Sequence, residues 1–130
     1  MGNAMDDVTF TRLDAWFIFC LPKFGADLST WLRNYVFINR DAPPSYQQLS
    51  DCISKSLAAG ILTTSKGKYA VTNEWLDVVY LDDSNARNEI EAMGTFQDHL
   101  LAKAWPRVRD VEFFLGFDDY DNAVAAVNFF

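Results

Sequence analysis

This 130-residue sequence predicts an α+β fold, mainly helical: three helices and a β-hairpin, then a C-terminal helix-strand-helix extension. Three observations point there. Apolar residues return at helical spacing along residues 11–21, 27–40 and 45–60. Ser45 with Gln48 three positions on, and Gly60 at the far end, bracket the third stretch as a capped helix. Two β-prone runs, Ile61 to Thr64 and Lys68 to Thr72, then flank a turn at Lys66-Gly67.

The first helix is expected from Thr11, its N-cap, to Leu21, with Pro22 and Gly25 ending it. Leu13, Trp16, Phe17 and Cys20 share one face, and Ile18, Phe19 and Leu21 spread round the rest. An almost wholly apolar circumference predicts a central, buried helix. The second runs from Asp27 to Arg40, capped by Asp27 or Ser29. Leu28, Trp31, Leu32, Tyr35, Val36 and Ile38 turn inward, while Arg33, Arg40 and Phe37 lie on the opposite side. Asp41-Ala42-Pro43-Pro44 breaks it, because each proline disfavours helical geometry in the residue before it.

On the third helix, Tyr46, Leu49, Ile53 and Leu57 form the inward stripe; Gln47, Gln48, Asp51, Lys55 and Ala58 face away. Trp75, Val78 and Val79 predict a brief fourth helix. Ile90, Met93, Phe96, Leu100, Leu101 and Ala104 predict a long one over residues 84–105, stopped by Pro106. Alternation at Val111, Phe113, Leu115 and Phe117 predicts a strand. A last short helix over 118–128 starts with acids, which suit the positive end of its dipole. All 130 residues are expected in one domain, with a core over 9–82 and the extension over 83–130.

Residues 11–80 resemble the winged helix-turn-helix superfamily, and small bacterial winged-helix-like proteins of unassigned function in particular. Pro44, Ser45, Leu49, Leu57, Gly60 and Ile61 carry the likeness, with Lys68-Tyr69-Ala70-Val71-Thr72 as the second wing strand. The resemblance implies a recognition helix over 45–60 and a wing over 61–72. In DNA-binding members it assigns base contacts to Gln47, Gln48, Asp51, Ser54 and Lys55. Phosphate contacts fall to Lys66 and Lys68, supported by Arg33 and Arg40. The outward face of the third helix departs from that pattern, with one basic residue, one acid and no arginine.

Charge sharpens the point. The formal net charge is −7, which opposes non-specific binding to nucleic acid or anionic membrane. Residues 23–70 carry six basic groups against three acids; residues 71–130 carry four against twelve. The predicted helix-turn-helix and wing are the only net-positive segment. Of eleven Phe, five Tyr and four Trp most are expected to pack inside, and some to form an exposed contact patch, since rings anchor interfaces well. Phe37, Val111, Phe113, Phe114, Phe129 and Phe130 are the candidates.

Recognisable chemistry is sparse. His99, the single histidine, falls opposite the apolar stripe of its helix with no identifiable nucleophile. Asp118, Asp119, Asp121 and Asn122 lack the glycine and glutamate of a calcium loop. The glycines form no phosphate-cradling motif. Cys20 and Cys52 sit in apolar helical patterns and are expected as buried, reduced thiols. No catalytic residue, metal site or cofactor is expected. The acidic start predicts no signal peptide, and the apolar run Ala15–Leu21 is too short to span a bilayer. The expectation is therefore a cytoplasmic, non-enzymatic module for protein–protein interaction or homodimerisation, away from membranes. The alternative is a DNA-binding transcriptional regulator.

Overall fold

A computed structural model describes residues 7–40, 42–80, 89–111 and 113–127, with backbone alone at 89 and 90. Helix α1 spans Arg12–Phe19. Thr11 caps it as expected, and Asp14 completes a capping box: Thr11 Oγ1 accepts from Asp14 N–H, and Asp14 Oδ2 accepts from Thr11 N–H at 2.8 Å. Ala15, Phe17 and Ile18 are buried, and Leu13, Trp16 and Phe19 are half-buried against the same core. The central position read from its apolar circumference is what forms.

A two-residue strand, β1 (Ala26–Asp27), follows and had no signal in the sequence. Helix α2 (Leu28–Asn39) is capped by Asp27, whose Oδ1 accepts from Thr30 N–H at 2.9 Å. That bond above all, with Lys68 and Arg33 nearby, holds the Asp27 carboxyl below its usual range. Helix α3 (Tyr46–Ala58) carries the expected Ser45–Gln48 capping box and buries Leu49, Ile53 and Leu57. Gly60 follows with φ +81°, a left-handed geometry that costs a Cβ-bearing residue about 1–2 kcal/mol.

Strands β2 (Leu62–Ser65) and β3 (Lys68–Val71) form the hairpin. Lys66 and Gly67 both have positive φ, 53° and 77°, the turn that matches strand twist in two-residue hairpins. The sheet is antiparallel in the order β1-β3-β2, with Ala26 opposite Tyr69 and Leu62 opposite Val71. A 3-10 turn at Asn73–Trp75 leads into α4 (Leu76–Val79).

Helix α5 (Glu89–Leu101) packs on α1, and α6 (Phe117–Val127) packs along α2. Both serve the same core, which gathers Phe96, Leu100, Leu115, Ala123 and Val127 with the residues of α1–α3. Its centre is aromatic. Phe17 stacks on Trp31 at 4.0 Å, Tyr35 meets Phe17 edge-on at 5.8 Å, and the Trp31 indole N–H donates to Phe17 O at 2.7 Å.

Three expectations need correction. Helix α5 stops at Leu101 rather than near Trp105, so Ala104 is exposed and Leu101 is only partly covered. Residues 84–88 of that expected helix lie outside the described residues. Trp105 instead pairs with Val8 in an isolated bridge, each N–H donating to the other's carbonyl at 2.8 Å. Second, no strand forms across the described residues of 111–117. The segment lies along α3 without pairing: Val108 and Arg109 N–H both donate to Ala58 O, and the Tyr46 hydroxyl donates to Leu115 O at 2.6 Å. Val111, Phe113 and Leu115 turn inward and Phe114 outward, so the alternation recorded a half-covered extended segment. Third, Ala58 is fully buried beneath that segment rather than outward.

Candidate protein and nucleic-acid interface

The outward face of α3 decides between the two readings. Gln47 and Gln48 are exposed, as expected, but both side chains are engaged. Gln47 Nε2 donates to Asp51 Oδ1 at 2.9 Å, and Gln48 Oε1 accepts from Ser45 N–H at 3.0 Å. Ser54 is half-buried. Lys55 is turned aside: its Nζ lies 2.6 Å from Asp14 Oδ2 and donates to Thr9 O at 3.1 Å, 5.3 Å above the Phe10 ring. The Asp14 side chain is 4% exposed and that of Lys55 27%. The basic group on the outward face of α3 is thus neutralised by α1.

A cleft of about 350 Å3 opens between the start of α1 and α3, lined by Thr11, Arg12, Asp14, Gln48, Asp51 and Lys55. Two acids face its two bases, so it presents no uncompensated charge to an anion. Beneath it Cys52 is fully buried. Burial first, and the adjoining Asp14, push its thiol well above the usual range, the opposite of an activated nucleophile. Cys20 is likewise a buried free thiol. Every buried side-chain nitrogen and oxygen among the described residues has a partner. No group of three His, Cys, Asp or Glu there could hold a metal ion.

The remaining cations are better placed. Lys66 and Lys68 are exposed at the hairpin tip, Arg33 on α2 and Arg40 just past its end. The four are spread over the turn and the second helix, not gathered around α3.

Of the aromatic candidates, Val111 and Phe113 pack at home; Phe113 meets Tyr69 edge-on at 6.4 Å. Phe129 and Phe130 lie outside the described residues. Phe37 and Phe114 are exposed, Phe114 by 87%. Sequence reasoning missed two rings as bare: Phe24 at 94% and Phe117 at 62%. Their signal was present for Phe24, which follows Pro22-Lys23 in a turn where a core residue has no helix or strand to hold it. His99 is exposed as expected, yet its ring lies 5.4 Å from Trp105 and 6.2 Å from Trp75, a cluster no periodicity announced.

Compared with known proteins, the chain gives no match among protein families, curated proteins or solved structures.

Proposed function

We propose that this chain is a non-enzymatic winged-helix module whose work is protein–protein interaction, including with itself. The helix-strand-helix-helix-strand-strand order and the β1-β3-β2 sheet support the winged-helix assignment. One observation carries the functional reading. On the outward face of α3 the one lysine, Lys55, is held by Asp14 and Gln47 bonds Asp51, while Phe24, Phe114 and Phe117 are exposed. Exposed aromatics anchor protein interfaces, whereas duplex recognition needs free cations and free amides at the groove. Two buried free thiols suit a reducing compartment, and we assign the cytoplasm. No helix among the described residues is long and apolar enough to cross a membrane.

The DNA-binding reading retains one supporting feature, the paired wing lysines Lys66 and Lys68. A titration on mixed-sequence duplex DNA at low and high salt separates the two. No binding at low salt is expected. Salt-sensitive binding that Lys66→Glu with Lys68→Glu removes would make the regulator the primary reading.

A further inference from the structure

Two exposed patches of opposite charge flank Tyr69. On the outer face of the sheet, Thr63 pairs with Ala70 and Ser65 with Lys68, so these four side chains point the same way. Together with Phe24 and Gly25 they line a groove of about 230 Å3. Phe24 is presented by a turn that Gly25 N–H closes on Pro22 O at 2.9 Å. Lys68 lines this face, exposed Lys23 and Lys66 adjoin Phe24 and the hairpin turn in sequence, and Asp27 stands in register with Lys68. The second patch is the corner where α6 begins. Phe114 and Phe117 project there beside exposed Asp118, Asp119 and Asp121, with Phe117 steadied at 5.4 Å by Tyr46. Tyr69 joins the two. Its strand floors the groove, its ring meets Phe113, and burial together with the Asp119 carboxylate pushes its phenol up.

We propose that the chain forms a two-fold dimer in which the acidic Phe114–Phe117 corner of each copy docks on the lysine-rimmed Phe24 groove of the other. This deepens the interaction-module reading by naming a second copy as the partner. Charge complementarity selects the occupant. A corner facing a corner sets acids against acids, and a groove facing a groove sets lysines against lysines; only corner on groove pairs unlike charges and covers bare rings with apolar surface. Because both patches adjoin Tyr69, two copies can make the contact twice and close, leaving no end free for further addition. With a net charge of −7 on each copy, the contact depends on its local lysines, and salt weakens it by screening them.

Sedimentation of the full chain from micromolar to near-millimolar concentration tests this. A monomer–dimer equilibrium weakened by salt is expected, with Phe24→Ser raising its dissociation constant by about tenfold or more. Lys66→Glu with Lys68→Glu, and separately Asp118→Lys with Asp121→Lys, are each expected to be monomeric. Mixed in equal amounts they are expected to dimerise again, since the swapped charges match. All these positions are exposed, and circular dichroism melts verify that each variant folds. The proposal is overturned by a wild-type chain that stays monomeric throughout, by growth beyond a dimer, or by a mixture that fails to reassociate. Retention of a single-stranded oligonucleotide by monomeric chain, lost in Phe24→Ser, overturns it in favour of nucleic acid. A monomer that binds neither duplex nor single strand removes the dimer while leaving an interaction module with a different partner.

Discussion

The Lys55 ammonium and the Asp14 carboxylate, 41 residues apart in sequence, meet at 2.6 Å where α3 crosses the start of α1. The same carboxylate oxygen accepts from Thr11 N–H in the capping box. One nearly buried acid therefore stabilises a helix start and fixes the approach of a second helix. Asp14→Ala removes both and leaves the Lys55 ammonium half-buried without its counter-ion, at an expected cost of about 2–3 kcal/mol. A double-mutant cycle with Lys55→Met in urea unfolding is expected to give a coupling of about 1–2 kcal/mol. A value under about 0.5 kcal/mol, typical of exposed pairs, would show that solvent screens the pair and that Lys55 is available for other partners.

Gly60 offers a cleaner test of the α3–sheet junction. Its φ of +81° disfavours any side chain, and a Cβ there would lie 2.8 Å from Cγ2 of Val108. Val108 is itself largely exposed and can rotate away, so the backbone conformation is the larger obstacle. Gly60→Ala is expected to cost about 1–2 kcal/mol in denaturant unfolding. Adding Val108→Ala should recover only a minor part. Full recovery would mean that the steric contact, not the left-handed backbone, sets the penalty.

The helices and the hairpin before Val79 were legible because their signals are local. Thr11 and Ser45 cap the helices they were expected to cap, Asp27 rather than Ser29 caps α2, and Leu49, Ile53 and Leu57 dock inward. What escaped depends on partners distant in the chain. Strand β1 is two residues long and exists only because β3 lies beside it, 41 and 43 positions on in sequence. Residues 111–117 alternate like a strand, yet the described ones pair with no strand; the Tyr46 hydroxyl on α3 holds Leu115 O, just after Val108 and Arg109 bond to Ala58 O. Lys55 sits on a polar helix face by its spacing, and only the position of Asp14 turns it inward. The candidate site was legible to the same degree. Lys66 and Lys68 are exposed at the hairpin tip, Lys68 in register with Asp27; the exposure of Phe24 and Phe117 is a tertiary outcome.

Alkaline pH probes a different contact. The Tyr80 hydroxyl donates to Leu21 O, tying α4 to the end of α1. Burial, with Cys20 nearby, pushes its phenol far above the ordinary value of 10. An acid whose folded value is raised supports the fold while neutral. Its contribution is whole below pH of about 10 and is lost as pH rises further, because the unfolded chain ionises first. Stability is thus expected to fall above that pH in wild type and less steeply in Tyr80→Phe, which loses about 1 kcal/mol at neutral pH with the hydrogen bond. Identical slopes in the two proteins would assign the alkaline loss to other groups, Tyr69 first among them.

Helices α5 and α6, with Leu115 before α6, complete the core rather than decorate it. Phe96 and Leu100 on α5 are fully buried against α1, and Leu115, Ala123 and Val127 close the other side over α2 and α3. Each large side chain among them contributes roughly 2 kcal/mol by burial, and their removal also uncovers Phe17, Ile18 and Trp31. That loss matches the whole margin of a small domain, about 5–15 kcal/mol. A chain ended at Asp82 is therefore expected to unfold without a cooperative thermal transition and to bind a hydrophobic dye, despite keeping every residue that resembles a winged helix. A sharp melt from the shortened chain, with near-ultraviolet dichroism intact, would show that the first 82 residues hold a core of their own and that α5 and α6 dock on it afterwards.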